Sequence, residues 1–230
     1  MSMDSSRYTG LYTLQDEVLA VIFEEPAGFY LTGGTALSRF YLNHRYSDDL
    51  DFFNHDIGVF PDAFRLILSK LVLTWPDISV EVDGRDFKRL RIGKEGSELK
   101  LDFVADRVQR IGLPAKIHGI YVDTVRNILS NKLCAALGRD EGRDIADILY
   151  ISRARKFSWD AILRETLLKE GFQLEDLLFR LGTFPVKMLQ TVPFVTAESI
   201  DAYAEALARI RSDIYDQAEN SLAGSTALAL

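Results

Sequence analysis

The sequence predicts an α+β protein, a mixed β-sheet core followed by a helical subdomain, and three observations carry that reading. Up to about residue 123, short apolar runs bounded by glycine, proline and aspartate read as strands and hairpins interleaved with helices. From Thr124 onward almost every segment carries apolar residues at helical spacing. The 230 residues are 47% apolar and 27% charged, enough for a packed core and, at ~100–200 residues per domain, for one large domain or two small ones. The expected division is a core over 1–123 and a helical subdomain over 124–230.

In chain order, Leu11, Leu14, Val18, Leu19 and Ile22 recur at helical spacing, with Gln15, Asp16 and Glu17 on the other side, which predicts an amphipathic helix over Leu11 to Phe23. Pro26, Ala27 and Gly28 end it, and Phe29-Tyr30-Leu31 reads as a buried strand. Gly33-Gly34-Thr35 is then a strand-to-helix turn, because Ala36, Leu37 and Phe40 resume helical period. The polar stretch Asn43 to Asp48 closes that helix, and Leu50, Phe52 and Phe53 predict a strand with Asp49 and Asp51 on its opposite face. Phe60 to Leu73 is helical in pattern. Ile78 to Val82, Phe87 to Ile92 and Leu99 to Val104 are strand-like, separated by Asp83-Gly84 and by Gly93 to Gly96, and predict antiparallel hairpins. A short strand at Gly119 to Val122 precedes helices at Thr124 to Leu137, Gly142 to Arg153, Trp159 to Lys169, Leu174 to Leu181 and Ala197 to Asp216.

Composition narrows the function classes. With 27 Lys and Arg against 34 Asp and Glu the net charge is −7, so the molecule repels polyanions and any nucleic-acid contact requires a local patch. The single cysteine, Cys134, cannot close an internal disulfide and lies in an apolar run, which suits the reducing cytoplasm. No run reaches the ~18 consecutive apolar residues of a membrane helix, and the polar start from Met1 to Gly10 is unlike a signal peptide. Secreted and integral-membrane classes are therefore not expected.

The strongest chemical signal is Gly33-Gly34-Thr35-Ala36-Leu37 followed by Ser47-Asp48-Asp49-Leu50-Asp51-Phe52-Phe53. Two glycines after a buried strand let backbone N–H groups approach an anion, and the helix starting at Thr35 aims its positive end at the same point. Thr35 offers a hydroxyl donor as well. A plain tight turn is the competing reading of these glycines. Asp49 and Asp51, two apart on a strand, share a face, where carboxylates repel unless a cation sits between them; hard Mg²⁺ suits such oxygen ligands. A solvated edge strand is the competing reading, weakened by the adjoining Phe52 and Phe53. Asp102 lies in Glu98-Leu99-Lys100-Leu101-Asp102-Phe103-Val104, on the strand face shared with Lys100. Read alone, it is a surface acid paired with that lysine. Beside an anion-binding turn, three acids from neighbouring strands form the arrangement metal-assisted phosphoryl transfer requires.

Gly33 to Leu37, Arg45-Tyr46-Ser47-Asp48-Asp49-Leu50-Asp51-Phe52, Lys100-Leu101-Asp102, Asn131-Lys132-Leu133-Cys134-Ala135 and Arg143-Asp144-Ile145-Ala146-Asp147 together resemble the AbiEii/AbiGii toxin family of the polymerase-β-like nucleotidyltransferase superfamily. The resemblance spans residues 33 to 147, with Gly-Thr where many superfamily members have Gly-Ser. It implies a nucleotidyltransferase core with a helical subdomain, Mg²⁺ held by Asp49, Asp51 and Asp102, and nucleotide contacts from Gly33, Gly34, Thr35 and Lys132. It adds Asp147 to the catalytic acids and implies an NTP substrate, an RNA acceptor such as tRNA, and a cognate antitoxin in a type IV or related system. Read from the residues alone, Lys132 is also a snorkelling surface lysine, and Arg143 and Asp147, four apart, an intrahelical ion pair.

Arg85 to Lys94 holds five basic residues, Arg85, Lys88, Arg89, Arg91 and Lys94, against one acid, Asp86. With Arg89 and Arg91 on one face, this is the best local patch for a triphosphate or RNA, and the family resemblance adds Arg143 as a candidate acceptor or phosphate contact; a charged hairpin edge that resists aggregation is the alternative. His44, His55 and His118 lack metal-ligand spacing and read as surface or structural. A nucleotidyltransferase acting on a small molecule, and a nucleotide-binding module without turnover, remain as alternative functions.

Overall fold

The computed structural model describes residues 3–94 and 96–230; Met1 and Ser2 of the expected polar start, and Glu95 in the expected Gly93 to Gly96 turn, lie outside them. The chain divides into two compact units, the first comprising Met1–Ala36, Ser47–Arg107 and Pro114–Asp123, the second Leu37–Tyr46, Val108–Leu113 and Thr124–Leu230.

The first unit is built on a seven-stranded mixed sheet. Its strands are β1 (Tyr30–Thr32), β2 (Leu50–Asn54), β3 (Ser79–Asp83), β4 (Phe87–Lys94), β5 (Ser97–Ala105), β6 (Ala115–Ile117) and β7 (Ile120–Val122). They lie in the order β3-β4-β5-β2-β1-β7-β6. β2 runs parallel to β5 and β1 parallel to β7, while the other neighbours are antiparallel. Strand alternation divides the faces. Leu31, Leu50, Phe52, Leu99, Leu101 and Phe103 are fully buried on one side, where α1 (Met3–Glu24) and α3 (Phe60–Thr74) cover them. Phe23 meets Phe52, and Phe29 and Phe64 meet Phe103 edge-on, so aromatic packing adds to apolar burial. The opposite face carries Thr32, Asp51, Asp102 and Arg89.

Helix α1 starts well before the expected Leu11, and its Gln15, placed by periodicity on the polar side, is fully buried. Its amide donates to the Ser47 carbonyl over 3.1 Å, while the Tyr12 hydroxyl accepts from the Ser47 amide at 3.2 Å. A polar residue inside a helix interface is tolerated because it satisfies a buried backbone group. These bonds fix the chain two residues before Asp49.

The second unit contains α4 (Val125–Gly138), α5 (Gly142–Ala154), α6 (Trp159–Leu167), α7 (Leu174–Thr183) and α8 (Ile200–Tyr215). Its core includes Leu129, Leu133, Ile148, Trp159, Leu177, Tyr203 and Ile210. Thr124 caps α4 by accepting from the Asn127 amide, and Ser199 caps α8 by accepting from the Ala202 amide. The tail closes a two-stranded parallel pair, β8 (Arg155–Lys156) with β9 (Leu228–Ala229), which no sequence pattern announced.

Candidate active site

Three neighbouring strands and one turn bring the predicted acids of the first unit to one sheet face. Asp51 and Asp102 are register partners across the parallel β2–β5 pair, and Arg89 is the register partner of Asp102 across the antiparallel β4–β5 pair. Asp49 lies two residues before Asp51, on the same side. β1 places Thr32 opposite Asp51, so the chain enters the glycine turn beside that carboxylate.

Gly33 is at φ +70, and a Cβ built there would fall 2.5 Å from Asp51 Oδ2. A side chain is therefore excluded twice, by backbone strain and by the acid itself. The helix begins at Gly33 itself as α2 (Gly33–Leu37) and continues as a π-helical turn over Ser38–Leu42. Thr35 differs from expectation. Its buried hydroxyl donates to the Asp49 carbonyl over 2.5 Å, so its proton ties the turn to the acidic segment and is not offered to a ligand. Thr32, just before the turn, donates over 2.6 Å to the fully buried Asp123, whose amide in turn donates to the Leu31 carbonyl. Asp123 is a supporting residue that sequence pattern did not single out.

Cations hold the acids. Arg89 grips Asp102 with two parallel hydrogen bonds, Nε to Oδ1 at 2.7 Å and Nη2 to Oδ2 at 2.8 Å. Lys100 Nζ lies 2.6 Å from Asp49 Oδ2 and 3.7 Å from Asp102 Oδ2. Burial lowers the Lys100 pKa, but the Asp49 hydrogen bond and the fields of Asp49, Asp102 and Asp51 outweigh it and raise the value. Among the described residues no three His, Cys, Asp or Glu side chains stand close enough to share one ion. The donors are nevertheless all oxygen, as a hard divalent cation requires, and the Lys100 ammonium already serves as a cation between Asp49 and Asp102.

The basic hairpin is largely self-neutralised. Lys88 pairs with Asp83, Arg91 with Glu81 and Glu98, and Lys94 with Glu17. The expected anion patch is thus mostly a set of cross-strand and interelement ion pairs.

In the second unit, Asp147 is fully buried at the centre of a charged network. Arg45 donates to both its oxygens, Nε to Oδ1 at 2.7 Å and Nη2 to Oδ2 at 2.9 Å. His44 Nε2 lies 2.8 Å from Oδ1 and Lys132 Nζ 2.8 Å from Oδ2. Lys132 also pairs with Asp144 at 2.7 Å, and Arg139 reaches the other oxygen of Asp144 at 2.8 Å. Burial alone would raise the Asp147 pKa; the charges of Arg45 and Lys132 and the hydrogen bonds from His44 and Arg45 hold it well below the usual carboxylate range. With both oxygens occupied by donors, Asp147 is unsuited to accept a proton. Lys132, 12% exposed and doubly paired, is not the snorkelling surface lysine. Nor do Arg143 and Asp147 form the expected pair, since Arg143 turns to Glu141.

His44 gives this network a pH signature. Burial, reinforced by Arg45 and Lys132, lowers its pKa below 6.5 despite the Asp147 carboxylate, and its buried Nδ1 has no hydrogen-bond partner among the described residues. The unfolded chain then takes up the proton first, so stability present above pH 6.5 is lost as the pH falls through the lower folded-state value. Urea unfolding between pH 7 and 5 should show a slope of up to about 1.4 kcal/mol per pH unit from this group. The slope should shrink in His44→Gln; an unchanged slope would assign the dependence elsewhere.

Comparison with known proteins identifies the family and the fold. A family model described as "Nucleotidyl transferase AbiEii toxin, Type IV TA system" matches residues 18–223. Comparison with curated proteins finds no match. Among solved structures, the fold is similar to JHP933 from Helicobacter pylori, with TM-score 0.62 and 20% identity over 91% of this chain and 92% of that one. It is also similar to MenT4, a nucleotidyltransferase toxin of Mycobacterium tuberculosis, with TM-score 0.65 and 17% identity over 91% and 84% of the two chains. At these identities the solved structures speak for the fold, whereas the family match runs through both units: the chain belongs to the AbiEii family of nucleotidyltransferase toxins.

Proposed function

We propose that this nucleotidyltransferase toxin moves a nucleoside monophosphate from an NTP to an acceptor hydroxyl, using Mg²⁺ held by Asp49 and Asp51 with Asp102 as the third acid. The observation that carries the reading is the placement of these acids on one sheet face against the Gly33-Gly34 turn, with a cation already drawn between two of them. Bound there, Mg²⁺ supplies charge neutralisation for the phosphates and the leaving pyrophosphate. The protein supplies the rest. Backbone amides of Gly33 and Gly34 receive phosphate oxygens at a point no Cβ can enter, Thr35 holds the turn to the Asp49 segment, and Arg89 fixes the orientation of Asp102. The acceptor oxygen forms a bond to the α-phosphorus as the bond to the bridging oxygen breaks, pyrophosphate leaves, and the hydroxyl proton is released.

In the second unit, the same reading gives Lys132 and Asp147 a positioning role, because their polar atoms are satisfied by each other, Asp144, Arg45 and His44. We extend the proposal to an RNA acceptor such as tRNA, a cognate antitoxin and a cytoplasmic setting. No helix among the described residues is long and apolar enough to cross a membrane. The ion-paired state of Arg89 and Arg91, and of Arg143 with Glu141, favours as a second reading an acceptor that needs few phosphate contacts, such as a small molecule.

Incubation with Mg²⁺, each labelled NTP and total RNA distinguishes them. Label from one NTP should become precipitable with RNA and remain soluble when Mg²⁺ is chelated. Label confined to small molecules would transfer the proposal to the second reading, and no transfer with any NTP would refute both.

A further inference from the structure

We infer that Lys100 is a built-in counter-ion that occupies the cation position between Asp49 and Asp102 and must be displaced before a divalent metal can bind. The inference rests on the metal site proposed above and goes beyond it by assigning a role to Lys100, which that site did not use.

The geometry separates the two cations that touch Asp102. Arg89 meets both oxygens of that acid in a planar fork from the neighbouring strand, a fixed support. Lys100 instead reaches from one acid to the other, 2.6 Å from Asp49 and 3.7 Å from Asp102. Its backbone sits in β5, within the register that fixes Asp102, so only the side chain is free to move. That side chain is 29% exposed and ends in a compact charge on a flexible stem, suited to swing outward. Like charges crowded on one face would otherwise repel in the metal-free protein. An ammonium between Asp49 and Asp102 offsets that repulsion, at the cost of competing with the incoming ion. Once displaced, the same ammonium lies beside any triphosphate that arrives with the metal, so metal alone should bind weakly.

Mn²⁺ alone, without nucleotide, is the probe, its binding followed by the electron paramagnetic resonance signal of the free ion. Lys100→Met, which keeps the unbranched stem and removes the charge, should bind Mn²⁺ about tenfold more tightly than the parent and should melt at a lower temperature without metal. Lys88→Met removes a charge from the same hairpin, one that pairs with Asp83, and should change Mn²⁺ affinity less than twofold. Lys100→Gln serves as the second variant if circular dichroism shows Lys100→Met misfolded. Unchanged or weaker Mn²⁺ binding without Lys100 would overturn the inference while leaving the metal site intact. Equal tightening in Lys88→Met would reduce the effect to general electrostatics and overturn it too. Absence of Mn²⁺ binding in parent and Lys100 variants alike would remove the metal site itself.

Discussion

Asp51→Asn should abolish nucleotidyl transfer, by a factor of about 10³ or more, corresponding to ~4 kcal/mol of lost transition-state stabilisation. Asp51 is where the turn and the acidic strand meet: its carboxylate lies in the space a Gly33 side chain would take, and its register partner is Asp102. Asparagine keeps the shape and removes the charge, so positioning survives while affinity for a hard cation does not. The metal-free fold should be at least as stable as the parent, because one of several like charges on that face is gone. Expression of the parent without an antitoxin should slow growth, and the variant at matched levels should not. Gly33→Ala offers an independent approach to the same point, since its Cβ would press on Asp51 Oδ2 from a backbone at φ +70. It should lose transfer with all acids present. Full activity in Asp51→Asn would make the acid structural and remove the carrying observation of the proposed mechanism.

What the sequence revealed follows physical range. Strand alternation over Leu50 to Phe53 and Leu99 to Val104 placed Asp49, Asp51 and Asp102 correctly relative to their own cores, because period two is a local property. The glycine turn was legible for the same reason. Register between strands is not local: nothing in the spacing indicated that Arg89 would face Asp102 or that Lys100 would reach Asp49 as well as its strand neighbour Asp102. Longer separations were fainter still. Gln15 and Ser47 are joined across 32 residues and Arg45 and Asp147 across 102. A buried glutamine on a helix reads from periodicity as a surface residue, and a buried lysine such as Lys132 reads as a snorkelling one. In both cases the partner that satisfies the polar atom, not the residue type, decides burial.

Asp147→Ala should have the largest effect on stability, about 3–5 kcal/mol, because it leaves buried cations without their shared acceptor. Arg45 is 2% exposed and directs two donors at Asp147. Lys132 would keep Asp144, but His44 would lose the Asp147 carboxylate beside its Nε2. Asp144→Ala should cost less: its second cation, Arg139, is 63% exposed and can be solvated, while Lys132 retains Asp147. The order of the two variants in urea unfolding is therefore diagnostic. A double variant, Arg45→Met with Asp147→Leu, removes opposite charges together and should recover much of the loss if the cost is an uncompensated buried charge. Arg45 and His44 lie in the segment Leu37–Tyr46, which belongs to the helical unit although the chain runs from it directly into Ser47 and Asp49. Asp147 thus anchors Arg45 within the helical unit, while Gln15 and Tyr12 of α1 hold Ser47 within the first. Loss of transfer in Asp147→Ala should accordingly track unfolding and recover in the apolar double variant. Full stability with loss of transfer would instead make Asp147 a group that acts on substrate.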